Sequence, residues 1–342
     1  MHPVPSDRTV HYKKLGAAAL LAGLLAGGCA APRGTVHLNG RAPSFDGHAA
    51  WRYAVRAARF GARPPGSPAH ARLLAWLERR LDAAGIDRQA VAFTARTPAG
   101  PIAMTDLIAR FPGKQPGTIV IGGHYDTLSG RPRFVGANDG GSSTGMLLAL
   151  AEHFHRHPPQ GPSVWLVWFD GEEAIRHWQG NDHTYGSRHL ARLWRADGTL
   201  GHIRAVLVVD MIGDRHLDVA RDTEATPWLM DTVCREARRI GAGADFCRYR
   251  EAIEDDDTPF RAAGAAAADV IDFDYGPGNA WWHTDEDTVD KLSPRSFGIV
   301  GSVILATVRA LSSGDKPAAR TPARPAPRPA TAPAGSAASP GR

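Results

Sequence analysis

Apolar residues recur along the chain with two different periods, and the switching between them outlines an architecture. Short unbroken apolar runs, the pattern of strands covered on both faces, lie at residues 118–121, 164–169, 205–209 and 267–273. Residues 91–95 and 105–111, separated by a Pro/Gly turn, predict two more strands. Between the runs, apolar positions fall at helical spacing, as in 69–84 with Leu73, Leu74, Trp76, Leu77 and Leu81. The same spacing predicts helices over 48–60, 142–156, 188–195, 227–240 and 293–311. Arg63-Pro64-Pro65-Gly66-Ser67-Pro68 breaks the first two apart, and Gly85 stops the second. Strands alternating with helices predict an α/β fold with a largely parallel sheet.

The polar residues directly after the runs carry the candidate chemistry. The 164–169 run breaks into Asp170-Gly171-Glu172-Glu173, three carboxylates at a strand's C-terminal end, which is where open α/β sheets bind ligands. Adjacent carboxylates repel unless a cation or a shared proton holds them. His124 follows 118–121, Asp210 follows 205–209, and Asp139 and His283 fall in loops. Two histidines with several carboxylates and no nearby cysteine suit Zn²⁺. Adjacent Glu172 and Glu173 point to different sides, so one can bind a metal while the other moves protons. The glycine-rich loop at 135–143 has no GKS or GxGxxG pattern, so a nucleotide reading is weak.

Composition changes the picture mainly at the ends. Residues 1–28 read as a signal peptide, with Lys13 and Lys14 before an apolar stretch at 15–25 too short to span a membrane comfortably. Small residues before Cys29 resemble a lipoprotein cleavage box with Cys29 lipidated, although Ala26 replaces the usual Leu; an ordinary signal peptide is the alternative. Either way the protein is expected outside the cytoplasm, with membrane contact only through a lipid anchor. Residues 29–44 read as a linker, 45–313 as the catalytic-sized domain, and 314–342 as a disordered Ala/Pro/Arg tail. That tail carries much of the formal +5 charge, so the charge says little about the domain, and no basic-aromatic stripe points to nucleic acid. Cys234 and Cys247 would form one disulfide or stay as two buried thiols. Trp165 and Trp168 read as strand core, Asp255 as a solvated acid, and His153, His155, His157, His189 and His202 as surface or structural.

Several of these segments together resemble the animal-type glutaminyl-peptide cyclotransferases (glutaminyl cyclases), relatives of bacterial zinc aminopeptidases. They are Arg63 to Pro68, Gly123-His124-Tyr125-Asp126, Phe134 to Asp139, Phe169 to Ala174 with His177-Trp178, Tyr185 to Leu190, Asp210 to Gly213, Asp256 to Phe260 and Trp282-His283-Thr284. The resemblance implies a three-layer sandwich around a mixed, mostly parallel sheet. It implies one zinc held by Asp139, Glu173 and His283, with Glu172 as proton shuttle, Asp210 and Asp256 in an acidic network, and Trp178 and Trp282 as pocket walls. The implied reaction closes N-terminal glutamine of a peptide or protein to pyroglutamate and releases ammonia. Asp257 stands where the cyclases usually carry His. A zinc aminopeptidase is the alternative, with His124 and Asp210 holding a second metal; a non-catalytic envelope binding protein is a third reading.

Overall fold

The computed structural model describes residues 38–39 and 42–313. The stretches read as signal peptide, lipidated Cys29 and tail lie outside the described residues, as does most of the linker.

Two helices come first, α1 (Gly47–Ala58) and α2 (Pro68–Ala83). Asp46 caps α1 through the Ala49 N–H at 2.8 Å, and Ser67 caps α2 ahead of Pro68, satisfying donors that helix starts leave open. The antiparallel strands β1 (Arg88–Thr97) and β2 (Gly100–Phe111) follow. Then come β3 (Gln115–His124), α3 (Gly141–Arg156), β4 (Pro162–Phe169), α4 (Tyr185–Ala196) and β5 (Ile203–Asp210). The chain closes through β6 (Val219–Asp222), α5 (Pro227–Arg239), β7 (Phe246–Glu251), α6 (Asp257–Ala263), β8 (Ala267–Ile271) and α7 (Pro294–Ser312).

Six strands form one mixed sheet in the order β1-β2-β4-β3-β5-β8, with β4, β3, β5 and β8 parallel to one another and β2 antiparallel to β4. Strand alternation sorts residues to opposite faces. Ile119, Ile121, Leu166, Trp168, Leu207 and Val209 pack with α1, α2, α3, α5 and α7. Val120, Val167, Phe169, Val206 and Val208 pack with Leu190, Ala191 and Trp194 of α4 and Phe260 of α6. This is the expected three-layer sandwich. Leu73, Leu77 and Leu81 of α2 are fully buried, each worth about 1.5–3 kcal/mol of apolar burial.

The strand order also fixes the site. From β3 the chain crosses by α3 to β4 on one side, then by α4 back past β3 to β5. The direction of winding reverses around β3, and a crevice opens at its C-terminal end. His124 ends β3, Asp210 ends β5, and Glu172 and Glu173 follow β4.

Some expectations need correction. The hairpin strands β1 and β2 run well beyond 91–95 and 105–111, because their paired backbones continue into half-exposed sequence. The helix expected from 188 begins at Tyr185, after Thr184 in a left-handed conformation (φ 49°). The β6–β7 ribbon and α6 were not anticipated; they are short and mostly polar in sequence. Trp168 is core as expected, whereas Trp165 is half-buried beneath the Arg110 guanidinium. Cys234 and Cys247 are joined, tying α5 to β7.

Candidate metal centre and pocket

Asp139 stands at the centre of the crevice, in the turn before α3. Gly140 ends that turn at φ 74°, and a side chain there would meet the Asp126 carbonyl oxygen at 2.5 Å; only glycine fits. The main chain is held from both sides. Asp287 accepts the N–H groups of Asn138 at 2.8 Å and Asp139 at 3.1 Å. Arg63, wholly buried, donates to the carbonyls of Tyr125 at 2.8 Å, Gly136 at 2.8 Å and Asp139 at 3.4 Å, and also to that of Val135. The Asn138 amide reaches Met211 O and Gly213 N, binding the same turn to the exit of β5.

Around Asp139 two groups of ligand-type atoms converge. In one, His283 Nε2 lies 3.3 Å from Asp139 Oδ2 and 3.5 Å from Glu173 Oε2. In the other, His124 Nε2 lies 3.2 Å from Asp139 Oδ1 and 3.1 Å from Asp210 Oδ1. Within each group the ligand atoms lie within 4.8 Å of one another. The first set fits a zinc ion in one specific respect. Asp139 Oδ2 and both Glu173 carboxylate oxygens are buried with no hydrogen-bond partner, a cost of about 1–3 kcal/mol each if left unsatisfied. Their chemistry, two carboxylates and an imidazole, is a zinc donor set. His283 adopts φ 56°, a backbone conformation that a non-glycine residue holds only where its surroundings enforce it.

Glu172 and Glu173 part company after β4. Asp126 accepts both of their main-chain N–H groups, at 3.1 and 3.2 Å, fixing the turn. Glu173 then meets His283, whereas Glu172 Oε2 faces His124 Nδ1 at 3.6 Å. Burial, aided by neighbouring carboxylates and opposed by His124, holds the Glu172 carboxyl well above its ordinary range, the direction a general base needs. Burial and then the Asp139 charge push Glu173 up as well. His283 is raised to about 9: burial works against its charge, and Glu173 and Asp139 outweigh it. Asp139 is held low because His124 and His283 more than offset its burial.

Behind Glu172 lies an acidic patch. Asp255, expected to be solvated, is only 4% exposed. Burial and then Asp210 raise it to about 7, and after His124 it is the charge that acts most strongly on Glu172. Its surroundings come from β5 and the β4 exit, which no local acidic run discloses. Asp256 is buried too, but turns to the Ser187 hydroxyl at 2.5 Å. Asp170 supports the turn from below, bonded to His70 at 2.9 Å, Tyr125 at 2.9 Å and the Thr105 N–H at 2.6 Å.

Both tryptophans expected as pocket walls stack on a histidine. Trp282 stacks on His283 with ring centres 4.1 Å apart and meets Phe273 edge-on. Trp178 is 39% exposed and stacks on buried His183 at 4.2 Å. Arg63, Asp126, Asp182, His183, Asp255 and Asp287 escaped the sequence reading as functional residues. Asp126 alone left a signal, two positions after His124.

Residues 106–308 match the family described as Peptidase family M28. The chain is 26% identical over 279 residues to the glutaminyl-peptide cyclotransferase-like protein of Bos taurus, covering 73% of this chain and 72% of that protein. It is 40% identical to the solved glutaminyl cyclase of an Acidobacteriales bacterium, with TM-score 0.77, covering 82% of this chain and 99% of that one. A leucine aminopeptidase precursor from Bacteroides thetaiotaomicron, 23% identical with TM-score 0.68 over 80% of this chain and 99% of that one, shares the fold. By the extent of these matches the chain belongs to peptidase family M28 and, within it, to the glutaminyl cyclases.

Proposed function

We infer that the protein is a zinc-dependent glutaminyl-peptide cyclotransferase, closing N-terminal glutamine to pyroglutamate. The observation that carries the reading is the meeting of Asp139, Glu173 and His283 around unsatisfied buried oxygens, with Glu172 outside that set and facing His124. Those three residues would hold the zinc, which supplies a Lewis acid for the glutamine side-chain carbonyl.

The rest falls to the chain. The substrate's own α-amine attacks the side-chain carbonyl carbon, the new C–N bond closes the ring, and ammonia leaves. No serine or cysteine nucleophile is needed. Glu172 takes the proton from the attacking amine and returns it to the departing nitrogen. Burial first, and then Asp255, Glu173 and Asp256, hold the affinity of Glu172 for that proton high against the pull of His124, and Asp210 acts one step back by raising Asp255. Trp178 and Trp282 wall the pocket and bind the glutamine side chain, and the curl of that chain against its own amine supplies a proximity effect.

A second reading has one observation in its favour. His124, Asp139 and Asp210 form another ligand-type group, which an aminopeptidase would fill with a second zinc. Metal analysis separates the two: the cyclase reading expects one zinc per chain, and ammonia release that chelation stops and added zinc restores. Two zincs with release of N-terminal residues favour the peptidase.

The protein is further assigned to the cell envelope. The signal-like segment supports export, Cys29 supports a lipid anchor, and the Cys234–Cys247 disulfide suits an oxidising compartment. Peptide or protein N-termini are the expected substrates.

A further inference from the structure

The segment from Gly171 to Thr184 has no helix or strand of its own and returns to its starting point. Thr184 N–H donates to Glu172 O and Tyr185 N–H to Gly171 O, both at 2.8 Å. A closed surface loop of this kind keeps one shape only if its own side chains fill and pin it. Here two charged residues do so.

Asp182 gathers the rising half. Its buried carboxylate accepts the N–H groups of Ile175 at 3.2 Å, Arg176 at 3.0 Å and His177 at 3.0 Å, together with the Tyr185 hydroxyl at 2.6 Å. The three residues before Trp178 are thus fixed by one anion. Arg188, in the first turn of α4, gathers the falling half. It donates to Gly180 O at 3.2 Å, Asn181 Oδ1 at 3.1 Å, His183 O at 3.2 Å and Thr184 Oγ1 at 2.8 Å. Such charge-assisted bonds are the stronger kind. Trp178 sits at the crest, one face on the imidazole of His183 with the rings within 16° of parallel.

The rest of the Tyr185-Gly186-Ser187-Arg188 segment serves the same frame. A side chain on Gly186 would lie 2.1 Å from Asp106 Oδ1, so α4 can approach the β4 exit this closely only through glycine. Ser187 fastens the helix to Asp256.

We propose that Asp182, His183 and Arg188 are positioning residues that hold Trp178 in place as a pocket wall, so that this segment sets the KM for N-terminal glutamine. The proposal rests on the reading of Trp178 as a wall of the cyclase pocket.

The test compares Trp178→Ala, Arg188→Met, Arg188→Lys and His183→Ala in zinc-loaded enzyme with a Gln-initiated peptide. Trp178→Ala and Arg188→Met are each expected to raise KM about tenfold with kcat within about threefold of wild type, the mark of lost substrate binding. Zinc affinity stays unchanged, and Arg188→Lys recovers part of the loss. His183→Ala removes the stack and the imidazole's contacts to Thr184 Oγ1 at 3.2 Å and Arg188 Nη2 at 3.4 Å but leaves the bonds of Asp182 and of the loop's main chain; it raises KM in the same direction and decides the matter if Arg188→Met does not fold. A wild-type KM in Trp178→Ala overturns the wall reading and this proposal with it. A raised KM in Trp178→Ala beside wild-type values in Arg188→Met and His183→Ala overturns the proposal alone. Loss of zinc or of kcat in step with KM in Arg188→Met also overturns it, since Arg188 would then serve the whole fold.

Discussion

The main-chain N–H of Asp139 donates to the buried carboxylate of Asp287 at 3.1 Å, while Arg63 takes its carbonyl from the opposite side. Only the side chain of Asp139 is left to aim at a metal. Supports of this kind behind a ligand typically account for about 10–100-fold in metal affinity. Asp287→Ala and Arg63→Gln should each weaken zinc binding by about that factor in competition with a chromophoric chelator. Arg63→Lys keeps the charge but loses the planar fork that reaches several carbonyls at once, and should fall between. Unchanged zinc affinity in folded Asp287→Ala would remove this support from the account.

Glu172 and Glu173 should separate cleanly by function. Glu172→Gln removes the proton carrier and leaves the Asp139, Glu173 and His283 set intact, so it should bind zinc normally and lose about 10²–10⁴ in kcat. His283→Ala should weaken zinc binding first and lose activity as a consequence, with partial recovery at high zinc. Full activity in Glu172→Gln would show that another group moves the proton.

Asp272 sets a pH dependence of stability away from the metal centre. Burial, opposed by its bond to the Asp218 N–H and reinforced by Asp214 and Asp218, raises its pKa from 3.8 to about 8. A folded-state pKa above the unfolded one means the native state holds the extra proton. The associated stability is fully present below pH 3.8 and is lost as the pH rises toward 8, by about 1.4 kcal/mol per pH unit. Asp272→Asn removes that slope. Urea midpoints should therefore show the variant gaining on wild type between pH 5 and pH 8; a constant difference at the two pH values would contradict the assignment.

How much of this was legible in the sequence follows from where the stabilising partners lie. β4 and β5 announce themselves because both faces of each strand are apolar, and their polar exits then line up by fold alone. Glu172, Glu173, Asp139 and His283 were singled out from residue type, position after a strand or in a loop, and family resemblance, and the fold brings Asp139, Glu173 and His283 together. Asp255 was misread because its burial depends on Asp210 and the β4 exit, remote in sequence. Arg63 was read as part of a Pro/Gly breaker and of a segment carrying the family resemblance, with no role of its own, since nothing near it shows that its guanidinium ends on carbonyls of residues 125–139. The Phe246–Glu251 strand alternates in burial but not in residue type, with two apolar residues leading and two charged ones closing a stretch too short to register.

The Cys234–Cys247 disulfide closes a short loop between α5 and β7. Constraining an unfolded chain with a loop of this length is worth about 3 kcal/mol. The Cys234→Ala/Cys247→Ala double variant should lose about 2–4 kcal/mol in urea unfolding while keeping zinc affinity, because neither cysteine reaches the metal-centre residues. A fall in zinc affinity of the same size would tie the disulfide to the site instead.

The choice between cyclising a glutamine and cutting a peptide bond is open to one comparison. Zinc-loaded protein is offered a Gln-initiated peptide in parallel with Leu- and Ala-arylamides, and ammonia, arylamine and peptide mass are followed together. The account predicts one ammonia released per peptide converted, a peptide lighter by one ammonia with its N-terminus blocked, and no arylamine. Arylamine release, with the Gln-initiated peptide shortened by its first residue and two zincs per chain, would contradict it.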